Sequence, residues 1–195
     1  MEQNKTAVYR IASVISIIGN PLVTISIFIL FITSQLYSSL SAVWISSLVI
    51  GGVAIPVTVN NYRKVKSGEI TNFDMSDREQ RHTFYPRLIG LLAIVTLLLF
   101  VTQQPINFCI GGLIFLLMIV TSYAINFRLK ISMHTSISVF LALTLFKLSF
   151  TGGVAMAVFA LLISTSRLIL KRHTPVEVIS GALLGLVFGL INYYK

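Results

Sequence analysis

Charge is scarce in this sequence. Only 11% of its 195 residues are Asp, Glu, Lys or Arg, while 55% are hydrophobic and the mean hydropathy is +0.88. A soluble domain carries roughly one quarter charged residues, so the shortfall excludes a water-soluble fold and predicts an all-α integral membrane protein. Acidic residues are rarer still, 6 against 15 basic, for a net charge of +9. Beyond Glu79 the chain has one carboxylate side chain, Glu177. Cysteine is limited to Cys109, which excludes an intramolecular disulfide and a thiol metal site. There is no Walker-type glycine loop, nucleophile elbow or zinc-ligand spacing, and no internal repeat or low-complexity tract.

What the chain has in quantity is long apolar runs. Seven segments, 11–34, 39–60, 87–103, 107–126, 132–149, 152–170 and 176–194, approach or reach the 17–25 residues a bilayer requires. They predict six to seven transmembrane helices in a single membrane-embedded domain covering 1–195. The first run is longer than a signal-peptide core and lacks a small-residue cleavage site, so it reads as a retained span. Gly19-Asn20-Pro21 and Pro56 are expected to kink the first two spans. Gln103-Gln104-Pro105 and Thr151-Gly152-Gly153 are expected to form tight turns. Gly181, Gly185 and Gly189 recur every fourth residue, a helix-packing pattern.

The basic residues flank the spans, which points to topology and anionic headgroups rather than to nucleic acid. With seven spans, Lys5, Arg10, Arg63, Lys64, Lys66, Arg78, Arg81, Arg87, Arg128, Lys130, Arg167, Lys171 and Arg172 share one face, opposed by Lys147 and Lys195. That bias predicts a multi-pass plasma or inner-membrane protein whose rich face is cytoplasmic. The same face holds His82, His134, His173 and every acidic residue.

One stretch concentrates the chemistry: Ser166-Arg167-Leu168-Ile169-Leu170-Lys171-Arg172-His173-Thr174-Pro175-Val176-Glu177. Charge at a bilayer edge is costly unless paired, solvated or used. The planar fork of Arg167 suits a phosphate better than a lysine would. Thr174-Pro175-Val176-Glu177 reads as a capping box. Glu177 is also placed to accept a hydrogen bond from His173, fixing its tautomer and directing the other ring nitrogen to attack. Ser132 can cap the fifth span, putting His134 in a first turn where the helix dipole favours an anion and where an imidazole can protonate a leaving oxygen. In the polar loop, Asp74 with Arg78 and Asp77 with Arg81 are spaced four apart, which supports an exposed helix. Alternatively Arg78 or Arg81 turns inward to clamp a phosphate.

These residues resemble the type 2 phosphatidic acid phosphatase superfamily. Ser166-Arg167, five residues, His173, three residues and an acid is similar to its third signature. Ser132-Met133-His134 is similar to the second, and Asp74 with Arg81-His82 falls where the first occurs. The blocks keep the family order over roughly 70–190 and look like a divergent bacterial branch. The resemblance implies an all-helical core and a metal-independent lipid phosphatase with no cofactor. Its substrate would be a lipid phosphate or isoprenyl (di)phosphate entering from the bilayer. His173 would form the phosphohistidine, Glu177 would orient it and His134 would protonate the leaving alcohol. Arg167 and Arg81 would bind phosphoryl oxygens with the Ser132 region, and Arg78 or Lys130 would compensate for Asp74, which stands where the family has lysine. Met133 replaces a glycine and Glu177 an aspartate. Those departures keep a second expectation open, a catalytically degenerate member that binds lipid or scaffolds a partner. A third, an intramembrane prenyltransferase, rests on Asp74 and Asp77.

Overall fold

The computed structural model describes residues 2–71, 73 and 78–195, without the side chains of 2–5 and 78. Among the described residues the chain forms nine α-helices and no strand: α1 Glu2–Ile18, α2 Pro21–Leu36, α3 Ser39–Val49, α4 Ile55–Lys66, α5 Arg78–Val101, α6 Ile106–Asn126, α7 Met133–Phe146, α8 Phe150–Ile169 and α9 Pro175–Tyr194. Five stretches are long and apolar enough to cross a bilayer, and six when α1 and α2, bent by 51° at Gly19-Asn20, count as one. Leucines, isoleucines and valines such as Leu97, Val101, Leu161 and Leu183 are exposed, while Thr33, Ser46, Ser122, Asn126, Ser132 and Thr135 are buried. In water that pattern would be ruinous. In lipid it is the stable one, because tails solvate apolar side chains and polar groups must find partners inside. The chain is an all-α membrane protein.

Three sequence expectations change. The 132–149 segment forms only the 14-residue α7, about 21 Å long at 1.5 Å per residue and short of a hydrocarbon core of about 30 Å. Pro56 does not interrupt its span: residues 39–66 run as one helical stretch, with a π-helical turn over Ile50–Ala54 just before the proline. Thr151-Gly152-Gly153 lies inside α8, whose N-cap is Ser149, with Ser149 Oγ accepting the Gly152 N–H at 3.2 Å. Gly153 is there for proximity, since a Cβ on it would stand 2.3 Å from the Phe146 ring. The Gln103-Gln104-Pro105 turn forms as expected: Gln103 takes φ 52° and Gln104 N–H closes on the Leu99 carbonyl at 3.0 Å, a left-handed helix stop.

The helices divide into two compact units, Met1–Thr24 with Ile125–Lys195, and Ile25–Ala124. In the second, Thr33 Oγ1 meets Ser46 Oγ at 3.0 Å between α2 and α3, and the Tyr85 hydroxyl meets Ser122 Oγ at 2.7 Å between α5 and α6. Tyr85 also stacks on Tyr123. The first unit, which holds His134, Arg167, His173 and Glu177, packs α7 against both α8 and α9, and α1 against α8.

In that first unit α7 and α9 run parallel and in contact along their length. Cβ atoms on Gly181, Gly185 and Gly189 would fall 2.6 Å from the Ser132 carbonyl oxygen, 2.2 Å from that of Ser136 and 2.6 Å from Leu143 Cδ1. The glycine stripe therefore lets backbone approach backbone. At one end Ser132 N–H donates to the Glu177 carbonyl at 3.0 Å. At the other, Lys147 Nζ donates to the Lys195 carbonyl at 3.3 Å. Short as it is, α7 still returns the chain from the Ser132 end to the Lys147 end, so Lys130 lies with Arg167, Lys171 and Arg172 and away from Lys147 and Lys195.

Candidate functional site

The residues that gather at the Ser132 end are placed by three local devices. The first is a helix stop. Helix α8 ends at Ile169, and Lys171 adopts φ 53°, a left-handed conformation that glycine usually supplies. Lys171 N–H then closes on the Leu168 carbonyl and Arg172 N–H on that of Arg167, both at 3.0 Å. The chain folds back over the last turn of α8, and His173 N–H reaches the Arg167 carbonyl at 3.4 Å. Arg167 and His173, six residues apart, are thereby brought to the same level.

The second device is the capping box of α9. Thr174 Oγ1 accepts the Glu177 N–H at 3.3 Å and Glu177 Oε2 accepts the Thr174 N–H at 3.2 Å. The same Oε2 lies 2.7 Å from His173 Nδ1 and 3.5 Å from Lys130 Nζ. Capping and histidine orientation, the two roles open to Glu177 in the sequence, coincide on one oxygen. The His173 side chain is fully buried, at 0% exposure, and that of Glu177 is 14% exposed. A charge-assisted hydrogen bond in such a setting contributes about 1.5–3 kcal/mol, enough to hold the ring in one orientation with Nε2 turned away from the carboxylate.

The third device is the start of α7. Ser132 is its N-cap, accepting the Thr135 N–H at 3.4 Å and the Thr135 hydroxyl at 3.1 Å. Thr135 is in turn 3.2 Å from Ser164 Oγ of α8. His134 occupies the first turn and is buried. The Ser132–Glu177 backbone bond sets this turn beside the first turn of α9, so two helix N-termini open at one level. Each contributes partial positive charge, and the cations Lys130, Arg167, Lys171 and Arg172 belong to the same end.

Among the expected site residues, Lys130, Ser132, His173 and Glu177 are joined by direct contacts, and Arg167 is joined to His173 through the backbone. Lys130 is already engaged, donating to the Arg172 carbonyl at 3.2 Å besides pairing with Glu177. It locks the 170–173 turn onto α9. Arg81 belongs to the second unit, near the start of α5, where it is 4% exposed and lies beside Tyr85. The side chain of Arg78 and the residues Asp74 and Asp77 lie outside the described residues, and with them the two four-apart pairs. Among the described residues no group of three or more His, Cys, Asp or Glu side chains converges.

The structure adds one residue that sequence reasoning missed. Arg167 is 1% exposed and its Nη1 donates to Ser16 Oγ, itself 5% exposed, at 2.6 Å. Ser16 stands 151 positions away in α1, and nothing local to 166–177 points to it.

A buried imidazole held by a carboxylate at a helix start, at the same end of the unit as a buried arginine, can attack an electrophile or take a proton from a nucleophile. No family model, curated protein or solved structure matches the chain.

Proposed function

We propose that the chain is a metal-independent lipid phosphatase that hydrolyses a lipid phosphate or isoprenyl (di)phosphate through a phosphohistidine. One observation carries the reading: His173 Nδ1 is held 2.7 Å from Glu177 Oε2 in a fully buried side chain at a helix start. The resemblance of the 166–177, 132–134 and 74–82 blocks to the type 2 phosphatidic acid phosphatases supports it, and so does the net charge of the site end.

In the reaction His173 Nδ1–H donates to Glu177, and the Nε2 lone pair attacks phosphorus. The P–N bond forms as the P–O bond to the lipid alcohol, or to the lipid monophosphate when the substrate is a diphosphate, breaks. His134 gives its proton to the departing oxygen of that leaving group. Water then attacks the phosphohistidine, losing a proton to His134, while the electrons of the P–N bond return to Nε2. Inorganic phosphate leaves and both imidazoles regain their starting states. Arg167 and the first-turn amides of α7 stabilise the charge on the non-bridging oxygens, which phosphoryl transfer chiefly requires. An apolar tail stays in the surrounding lipid, and the basic end faces the cytoplasm in accord with the positive-inside bias.

The test is phosphate release from a panel of lipid phosphates by the purified chain, with and without chelator, alongside His173→Ala. Release that resists chelation and vanishes in the variant is expected. If no lipid phosphate yields phosphate, or if His173→Ala keeps full activity, the reading is wrong. A second reading, a family member that binds lipid phosphate without turnover, is favoured by the engagement of Lys130 with Glu177 and by Met133 at the start of α7. It predicts lipid phosphate binding with no phosphoryl group trapped on His173.

A further inference from the structure

We propose that the second unit carries a binding site for the headgroup phosphate of an anionic phospholipid, built from Arg63, Lys64 and Arg87 where α4 and α5 leave the apolar core. The inference goes beyond the hydrolase reading and stands independently of it.

Depth is the first argument. The apolar part of α4 ends at Val59 and that of α5 begins at Leu88, so both helices turn polar at Asn60 and Arg87. Arg87 Nη1 donates to Asn60 Oδ1 at 3.4 Å, which sets the two at one level. Arg63 and Lys64 follow Asn60 by three and four residues, so they share its face of α4 and stand about 4.5–6 Å further out. A headgroup layer adds about 5–7 Å on each side of the hydrocarbon, and all three cations fall within it. Tyr62, 63% exposed, belongs to the same layer, where amphipathic rings settle.

Convergence is the second. The chain turns back at Gly68, with φ 77°, and brings Glu69 to 3.5 Å from Lys64 Nζ. The Glu69 carboxyl is held below its ordinary range first by the Ser67 hydroxyl at 2.9 Å and then by Lys64 and Arg87. Cations from two different helices therefore act on one point. Glu69 supplies one negative charge there, on a side chain 59% exposed, and a headgroup phosphate supplies the second. Arginine forks suit the paired non-bridging oxygens of a phosphate, with Lys64 adding a point charge.

The ordinary reasons for basic residues at a span end do not account for this cluster. Cations favour a helix C-terminus, yet the Arg63, Lys64 and Val65 carbonyls of α4 are already closed by the Ser67, Ile70 and Gly68 N–H groups at 2.9, 3.3 and 3.2 Å. Arg87 stands nine residues after the start of α5, far from any C-terminus. Topology asks for charge on one face of the membrane, not for convergence across two helices. Lys66 meets that simpler demand: it is exposed and, six residues beyond Asn60, falls on the far side of α4.

The experiment titrates dioleoyl phosphatidylglycerol or dioleoyl phosphatidylcholine into the full chain in detergent micelles, read by native mass spectrometry and by thermal melting. The parent should bind phosphatidylglycerol more tightly than phosphatidylcholine, and the former should raise the thermal midpoint more. Arg63→Gln and Arg87→Gln should each weaken phosphatidylglycerol binding about fivefold, what one surface cation contributes toward an anionic lipid. Lys66→Gln removes the same charge from the far side of α4 and should stay within about twofold of the parent. Glu69→Gln, which removes the internal competitor for Lys64 and Arg87, should tighten binding. If Lys66→Gln costs as much as Arg87→Gln, the attraction is diffuse and the proposal is overturned. Equal affinity of the parent for the two lipids overturns it too, as does weaker binding by Glu69→Gln. Should one arginine variant fail to fold, the other decides when set against Lys66→Gln.

Discussion

Replacing Glu177 by glutamine separates what the residue does for stability from what it does for chemistry. The substitution keeps an oxygen able to accept the Thr174 N–H, now at 3.2 Å, so the capping box survives. What disappears is the negative charge seen by His173 at 2.7 Å and by Lys130 at 3.5 Å. Exchanging a charge-assisted hydrogen bond for a neutral one costs about 1 kcal/mol, and a partly exposed ion pair adds about 0.5–1 kcal/mol. Stability should therefore fall by about 1–2 kcal/mol, a few degrees in thermal midpoint. The effect on rate should be far larger. The oxygen that keeps the cap is the one that faces Nδ1, so the ring proton stays on Nδ1, but the negative charge that stabilises the ring as Nε2 attacks is gone. Replacing the equivalent carboxylate by its amide in a serine-protease triad lowers kcat by about 10⁴, and each tenfold is about 1.4 kcal/mol of barrier. On the proposed hydrolase reading, a loss of 10²–10⁴ in phosphate release is expected for Glu177→Gln, with the chain still folded. Thr174→Ala is the counterpart, deleting the 3.3 Å cap bond at about 1 kcal/mol without touching the imidazole, and should stay within a few-fold of parent activity. If Glu177→Gln retains a third or more of the parent rate, or if Thr174→Ala loses as much as it does, the carboxylate is only a cap and the orienting role is refuted.

Four further outcomes follow from the same geometry. Gly185→Ala pushes a methyl group to 2.2 Å from the Ser136 carbonyl and should destabilise the first unit by about 1–3 kcal/mol, the usual cost of overpacking. Its thermal midpoint in detergent should drop well below that of Gly51→Ala, where a Cβ meets nothing within 4 Å. Lys171→Gly relieves a left-handed residue at φ 53° and should raise stability by about 0.5–1 kcal/mol with phosphate release unchanged, read by thermal melting. In a Cys109→Ser background, Arg172→Cys should react with a membrane-impermeant maleimide from the cytoplasmic side and Lys147→Cys from the other, since the two positions lie at opposite ends of the first unit. The Glu69 carboxyl sits below the ordinary carboxylate range, chiefly through the Ser67 hydroxyl at 2.9 Å, with Lys64 and Arg87 adding to the effect. A lowered folded value means its contribution is present above the ordinary carboxylate range and fades as pH falls through the lowered one. Amide exchange in the 64–70 turn should quicken over that acidic window, and Glu69→Gln should flatten the response.

Much of the fold is legible in the sequence because lipid imposes so few solutions. Long apolar runs between basic residues can only be helices, and the Gly181-Gly185-Gly189 spacing announces a face on which another backbone must lie. What the runs do not carry is depth. The 132–149 segment is as apolar as its neighbours, yet its first residue, Ser132, is spent as the cap and its last three on the Lys147–Ser149 turn, leaving 14 helical residues. Glycine is ambiguous for a related reason. Gly152-Gly153 has the composition of a turn, but Ser149 captures the helix start three residues earlier, and Gly153 then serves contact with Phe146. Which of the two jobs a glycine performs depends on a partner distant in sequence.

The site is legible where its residues are local and obscure where they are not. His173, Glu177 and the Thr174 cap are within five positions of one another, so helix geometry alone brings them together. Ser16 could be found only by reading Ala12, Ser16 and Gly19 as one small-residue face and asking what it packs against. The glycine missing at position 133 illustrates the same point from the other side. Close backbone approach at the start of α7 is still achieved, but the glycine that permits it is Gly181 of α9, whose Cβ would lie 2.6 Å from the Ser132 carbonyl oxygen. Packing tolerates a small residue on either of two touching helices, whereas the side chain that reaches the phosphate must come from one of them. On the proposed phosphatase reading, Met133 bears on substrate access more than on assembly. Met133→Gly should leave the α7–α9 contact and the thermal midpoint nearly unchanged while altering KM for lipid phosphates. A large loss of stability with KM unchanged would show that this side chain is packing after all.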